Sequence, residues 1–537
     1  MIFGLLILLA VIGVLAGLGV RAWRNSGDHD DDGGLDLIPY LILALAVGVA
    51  GFSLARLARV GLSPDRFAGR PTGEIAGALA GLVVAAPIAY FLWRRQAKRR
   101  RAHPQSPGWP IYLAVIELVF LTAFFAAVGE LADALTSTAL TAGWPNLVVY
   151  GGLVAFHWWA ERHEPTEGNE GELPRLVGSS VSLISLTVGA IGTLTWLFSE
   201  AYEAIGSTID VPEPAIPLAL TLVAAPVWSW RWLPAWLPEA GIFRNLYLST
   251  VTAVSATAAI GAGVTLVAVL LSYLVGQGGR AETHFRAYPA TLAVLIVAGA
   301  IWIHHRRRLG VGRTGALVGY QYAMAAVGIA GLVASTVALI EAVFQRRLAG
   351  SNTGQVLIAL GCTVIASGAT WHWFWRKTRE APREFEIHLI QRRLYLIGMA
   401  VITGLTAAGA LIGSLVVIFR AVLGENDAIV DSLRLPLSLT VVSGLAAWHL
   451  FTQVRADGAE LKRTEVKPFT VTIVCSHPGK ITALFPREAT TRILYRGDAS
   501  GIVDDAMAAA IVAEVGPNSS LVWVDDSGYK IAPARES

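Results

Sequence analysis

The chain is short of charge, of cysteine and of methionine. Asp, Glu, Lys and Arg make up only 15% of its 537 residues, against about 25% in an ordinary soluble domain. So little charge cannot clothe a large soluble fold or keep a long chain disordered in water, and both classes are excluded. Two cysteines are too few to staple a secreted domain. Cys362 lies in an apolar run and Cys475 in a later polar region, so pairing is not expected, which suits a reducing cytoplasm. With 42 basic and 39 acidic residues, the net charge of +3 predicts no nucleic-acid partner. There is no CxxCH for attached haem and no HExxH for zinc. These absences predict no metal and no cofactor, and they lean away from an enzyme.

What is present is apolar: 54% of residues are hydrophobic, with 54 Gly and 17 Trp. That composition is the mark of an integral membrane protein. A helix needs about 20 mostly apolar residues to cross the hydrocarbon core, and the sequence offers thirteen such segments. The first occupies residues 1–23. Its apolar run, Met1 to about Val20, has no basic residue ahead of it and is followed by Arg21 and Arg24, so it reads as an uncleaved span with its N-terminus outside. An acidic loop follows at 24–37, where His29 stands among Asp28, Asp30, Asp31 and Asp32. Without the spacing of an EF-hand it reads as a solvated loop ahead of a cation site. The other twelve spans begin near residues 38, 75, 111, 145, 176, 215, 245, 289, 315, 354, 394 and 435. Every second connection, WRRQAKRRR and HHRRRLGVGR among them, holds the larger share of Lys and Arg. The positive-inside rule puts those connections and the C-terminus in the cytoplasm, with the chain in the inner membrane of a bacterium.

The spans repeat. Six times a helix pair ends in an aromatic-rich boundary: AYFLWRR, AFHWWAE, PVWSWRW, AIWIHHR, ATWHWFW and AAWHLFT. The first helix of a pair usually opens with Tyr: Tyr40, Tyr112, Tyr247, Tyr322 and Tyr395, with Ser179 and Ser180 standing in the third. All six pairs run the same way, which makes a parallel repeat about an axis along the membrane normal. The pattern of RRLYL at 392–396 after WHWFW at 371–375 resembles an uncharacterised family of bacterial multi-span membrane proteins, domain of unknown function fifty-six seventy-one. The resemblance extends over residues 38–455 and implies tandem two-helix repeats, without an activity or site residues to carry across.

After a polar linker at 456–468 the composition changes. Residues 469–537 predict a small cytoplasmic α/β domain. Strands are expected at Phe469–Cys475 and Thr491–Arg496, with a short helical piece at GKITALF between them. A helix capped by Asp498 or Ser500 is expected to run to Ala513, followed by a hairpin turning at Asp526, Ser527 and Gly528. The domain carries no phosphate loop or nucleophile motif, so a regulatory role is expected, through a protein partner or self-association.

Charges inside spans are costly in lipid and are the first functional candidates. Glu117 sits in YLAVIELVFL, about 10 Å along its helix from Pro110 at 1.5 Å per residue. It is either a proton- or cation-coupling carboxylate or, ranked above that, a group bonded to a neighbouring helix. Glu130, Asp133, Glu200, Glu341 and Arg420 lie near outer helix ends, where they reach water. Trp93, His157, Trp158, Trp228, Trp230, Trp302, His304, Trp371, His372, Trp373, Trp448 and His449 read as an interfacial belt. Haem or metal ligation by the histidines ranks below that, since two of them would have to converge. Arg94, Arg95, Lys98, Arg99, Arg100 and Arg101 predict contact with anionic lipid headgroups. Hydroxyls crowd spans 6 and 8, from Ser179 to Thr187 and from Ser249 to Thr257, and predict close helix packing ahead of a polar path.

The sequence therefore predicts an all-α polytopic membrane domain of six parallel hairpins with a small α/β tail. It reads first as a membrane scaffold or sensor, and second as a transporter or channel with Glu117 as its coupling carboxylate.

Overall fold

The structure, a computed structural model, describes residues 37–533 apart from 62–71, 103–107, 137–142, 165–168, 205–212, 233–240, 278, 311–314, 345–352, 381–385, 425–428, 465–468, 479–480, 482–488, 496–501, 516–519 and 526–527. The expected first span and the acidic loop with His29 lie outside the described residues. Each of the twelve later starts meets a helix. These are α1 Leu37–Gly61, α2 Thr72–Ala102, α3 Gly108–Thr136, α4 Trp144–His163, α5 Leu173–Glu203 and α6 Ala215–Trp232. The rest are α7 Ile242–Leu274, α8 Tyr288–Arg306, α9 Gly315–Phe344, α10 Thr353–Thr378, α11 Ile390–Val422 and α12 Ile429–Thr464. Ten of them are long and apolar enough to cross a membrane. The chain is thus an all-helical membrane protein with a small α/β region at its end.

The two helices outside that set are α4 and α6. Their last turns explain it: HWWAERH and WSWRW exchange aliphatic residues for aromatics and charge. Those same turns supply the polar groups of the site described below.

Consecutive helices pack as hairpins: α1 on α2, α3 on α4, α5 on α6, α7 on α8 and α9 on α10. Further contacts join hairpins, with α3 meeting both α5 and α6, and α7 meeting both α9 and α10. Helix α3 is the most enclosed of the apolar helices and α10 the least. One core is built on α3, where Tyr112, Ile116, Phe120 and Leu121 are fully buried. A second gathers Trp232, Tyr247, Leu248, Tyr320 and Met324. Large apolar side chains such as Ile365, Leu405, Ile412 and Val422 are exposed, as expected of faces turned to lipid.

Most hydroxyls in the crowded stretches of α5 and α7 are satisfied by their own helices. Ser180, Ser182, Ser185 and Thr187 each donate to the carbonyl four residues back, as do Thr252, Ser255 and Thr257. A hydroxyl satisfied by its own helix leaves a small, tolerant surface against which another helix can pack. Ser249 adds a bond across to the carbonyl of Ala316, 2.7 Å away on α9.

The chain divides into two compact units, Met1–Ala447 and Trp448–Ser537. Helix α12 continues through Thr464, into the segment read as a linker. Beyond it, β1 Phe469–Cys475, β2 Ala489–Tyr495, α13 Asp505–Val515, β3 Ser520–Asp525 and β4 Gly528–Pro533 form the small domain. The sheet order is β2-β1-β3-β4, with β1 parallel to both neighbours and β3–β4 the expected antiparallel hairpin. Gly528 takes φ +123 where the hairpin re-enters the sheet, a conformation that favours glycine. Val471, Ile473, Val522 and Val524 bury one sheet face against Ala508, Ile511 and Val515. The helix starts later than expected and its cap is different. Val503 donates to the carbonyl of His477 at 2.9 Å, which holds the chain extended beside β1 up to that point. Asp504 then caps α13, its Oδ1 accepting from the Met507 amide at 2.7 Å.

Candidate functional site

Four helices meet around Glu117. It lies on the buried face of α3, three residues before Phe120 and one after Ile116, both fully enclosed. Trp158, near the end of α4, donates its indole N–H to Glu117 Oε1 at 3.0 Å. Arg231, next to last in α6, donates from Nη2 to Glu117 Oε2 at 2.5 Å. Both carboxylate oxygens are therefore occupied. Arg231 uses Nη1 to reach Glu161 Oε2 on α4 at 2.9 Å. Glu161 Oε1 accepts from Arg175 Nε in the first turn of α5 at 3.0 Å. Two carboxylates and two guanidinium groups thus alternate in a chain of zero net charge, and the Arg231–Glu117 link is about 5% exposed.

The backbone makes room for this chain. A Cβ on Gly178, one turn into α5, would overlap the Glu117 carboxylate and stand 2.9 Å from Arg231 Nε. Glycine is what lets α5 lie against the pair. The indole of Trp158 also faces the Arg231 guanidinium at 5.5 Å, the kind of contact that favours Arg over Lys. Little space is left. A cavity of about 40 Å³ touches Trp158, Glu161, Arg175 and Arg231, and one of about 10 Å³ lies beside Glu117 and His157. Neither holds more than a water or two.

The aromatic residues expected at a lipid interface divide into two groups. Trp230, Trp373 and Trp448 are exposed. Others form joints between helices. His157 is buried; its Nδ1 donates to the Leu153 carbonyl at 2.7 Å, which leaves Nε2 to accept from the Tyr112 hydroxyl at 2.9 Å. Trp93 packs on Tyr112 and His157. Trp302 donates to the Tyr320 hydroxyl at 3.1 Å, and Trp371 to that of Tyr395 at 3.3 Å. Trp228 packs against His304, whose Nε2 accepts from Trp232 at 3.1 Å. Two of the opening Tyr residues, Tyr112 and Tyr395, are thus tied to a His or Trp at the closing end of a hairpin. The bond between these amphipathic rings removes the polar atom of each from an apolar setting. His372, one residue past the Trp371–Tyr395 joint, is exposed. His449 falls in the second unit. Among the described residues no group of three or more His, Cys, Asp or Glu is placed to hold a metal.

Of the polybasic run, Arg94, Arg95, Lys98 and Arg99 are exposed on the last turns of α2. Arg100 is buried instead. Its guanidinium stacks on Trp109 at 3.9 Å and pairs with Glu164, so it is taken up by protein and not by headgroups. The side chain of Arg101 is outside the described residues.

Sequence reasoning missed Arg231, Glu161 and Arg175. Glu161 and Arg175 flank a polar connection between spans, where charge is ordinary. It also missed a second buried pair, Glu386–Arg392 at 2.9 Å, which lies beside Trp375.

Two stretches, residues 36–160 and 319–445, match the domain of unknown function DUF5671. The chain resembles that family over those two stretches. Each spans two hairpins, α1–α4 in the first and most of α9–α12 in the second. No curated protein and no solved structure matches the chain. Glu117 lies in the first matched stretch, whereas Arg231 lies between the two, so their ion pair ties that stretch to the intervening hairpin. Glu117 also has no counterpart in the repeat. Five residues after the opening Tyr stand Leu45, Thr252, Val327 and Ala400 in the other hairpins that have one.

Proposed function

We propose that the chain is a membrane scaffold, in which the helical unit is a fixed frame and the α/β domain is the part that meets a partner in the cytoplasm. The observation that carries this reading is the state of Glu117. Its two oxygens are held by Trp158 and Arg231, and the adjoining cavities of about 10 and 40 Å³ leave no room for a solute beyond water. A coupling carboxylate has to exchange its partner during a cycle, whereas a structural one keeps it. The hydroxyls of α5 and α7 that bond within their own helices, Ser182 and Thr252 among them, support the same reading. The cytoplasmic placement of the tail rests on the Lys and Arg distribution, and the exposed Arg94, Arg95, Lys98 and Arg99 suit anionic headgroups on that side. The small domain offers partner surface on its uncovered sheet face, where Leu494, Leu521 and Trp523 are exposed.

Proton flux across liposomes holding the full chain tests this directly. Wild type and Glu117→Gln are expected to leak equally. A flux present in wild type and lost in the variant would overturn the scaffold and install transport through Glu117. Crosslinking in native membranes is expected to trap a partner with the full chain and not with a chain ending at residue 465.

A further inference from the structure

A cleft of about 500 Å³ opens between the C-terminal half of α7 and the N-terminal half of α10. That size falls within the range of small-molecule sites, roughly 300–1,000 Å³. Its body is apolar, formed by Val264, Val356 and Ala359 among others. Its mouth is polar, with Ser272, Thr283, His284 and Gln355, and Thr265 and Thr363 also line the cleft. Gln355 reaches the carbonyl of Gln277 and bridges α10 to the end of α7. His284, on the single turn Ala281–His284, is set by its Nε2 contacts with Val269 O at 2.9 Å and Ser272 Oγ at 3.2 Å. Tyr273 and Phe285 pack on the turn, with ring centroids 4.9 Å apart, and the Tyr288 hydroxyl pins the start of α8 to Leu266 O at 2.8 Å. The polar mouth is therefore held by protein contacts and is not an accident of loose side chains.

Among the described residues, no Lys, Arg, Asp or Glu lines the cleft. A charged headgroup entering it would lose water and gain no counter-charge, which is strongly unfavourable. An uncharged ligand with an apolar body has no such cost, and a hydroxyl at one end would meet the atoms these protein contacts leave over, His284 Nδ1 and Gln355 Oε1.

We infer that this cleft is a binding site for an uncharged amphiphile, with its chain between α7 and α10 and its hydroxyl head at His284 and Gln355. The site is far in sequence from the Glu117–Arg231 network and does not depend on the scaffold reading.

Photolabelling of the full chain in nanodiscs tests it, using a monoacylglycerol with a diazirine in its acyl chain. Label is expected at residues 264–272 and 355–363, saturating, and competed by unlabelled monoacylglycerol but not by phosphatidylglycerol. Ala359→Phe, at an exposed position that fills the cleft, is expected to weaken labelling there about tenfold, or 1.4 kcal/mol. His284→Leu is expected to weaken monoacylglycerol labelling while leaving labelling by a diazirine-bearing alkane unchanged. Label spread evenly over the exposed faces of α11 and α12, or indifferent to Ala359→Phe, would mean annular lipid only and would overturn the inference. Equal competition by phosphatidylglycerol would overturn it too.

Discussion

The guanidinium of Arg231 meets the carboxylate of Glu117 across 114 residues of chain, with 2.5 Å between Nη2 and Oε2. Because Arg231 also bridges to Glu161, the two acidic residues depend on it unequally with what each would have left. Replacing Arg231 by Met leaves the buried Glu117 carboxylate without a counter-charge, while Glu161 keeps Arg175, and is expected to cost about 3–5 kcal/mol. Replacing Glu117 by Gln keeps the shape and leaves Arg231 its bond to Glu161. The expected cost is smaller, about 1–3 kcal/mol. The double variant is expected to cost less than the sum, since the interaction is lost once. Unfolding of the purified variants in mixed micelles, followed by Trp fluorescence, measures all three. Additive losses would show that the two residues do not interact.

Gly178 gives an independent handle on the same contact. A methyl group there would overlap the Glu117 carboxylate, and overpacking in a dense core costs about 1–3 kcal/mol. Gly178→Ala is expected to lower the Tm of the full chain. The loss is expected to shrink in a Glu117→Ala background, where the obstructing carboxylate is gone. An equal loss in both backgrounds would place the cause in the helix backbone.

The architecture was largely legible from sequence because each span is a local signal. Twelve apolar runs gave twelve helices within a few residues of their expected starts, and the paired rhythm gave the hairpins. Glu117 stood out for the same reason, as a lone charge in an apolar run. Its partners did not. Which helix face meets which is a tertiary fact, and Arg231 sits in WSWRW, where a basic residue beside aromatics reads equally well as an interface anchor. Glu161 and Arg175 were hidden by proximity to a polar connection, where charge is ordinary. The one usable sign of Arg231 is that α6 carries no other charged residue. The cap of α13 was misplaced because the pairing of His477 with Ile502, which delays the helix, is not visible in local propensity.

The Tyr112–His157 joint predicts a specific asymmetry. Tyr112→Phe removes the hydroxyl and leaves His157 Nε2 buried without its donor, at an expected cost of about 1–3 kcal/mol. Changing His157 to Phe as well removes the orphaned nitrogen and is expected to recover part of that loss. If the aromatic positions were only a lipid-facing belt, each change would be nearly silent. Melting of wild type, Tyr112→Phe, His157→Phe and the double variant in one detergent discriminates the two.

Asp504 holds α13 at its first free amides. Asp504→Ala is expected to cost the helix about 1 kcal/mol and to leave the membrane unit unchanged. Amide exchange in the full chain reads this locally. Protection of Met507 and its neighbours is expected to fall about fivefold, while amides of β1 and β3 keep theirs. A fall spread over the whole small domain would mean that α13 and the sheet unfold together.

Glu172 carries the pH dependence that can be tested outside the spans. It closes the short turn Asn169–Glu172 ahead of α5, buried with its carboxylate against Gly241. Burial raises its pKa, against the opposing pull of Arg244 and Arg175. A carboxyl whose folded pKa lies above its unfolded value, about 4.3, binds its proton more tightly when folded. Its contribution to stability is complete below that pH and is lost as pH rises through the folded value. Glu172→Gln fixes the group in its uncharged form, so the variant is expected to match wild type near pH 4 and to gain on it as pH rises. The difference in Tm between the two proteins, taken from pH 4 to pH 8, isolates this residue from the other titrating groups. A difference that shrinks with rising pH would mean that Arg244 and Arg175 outweigh burial.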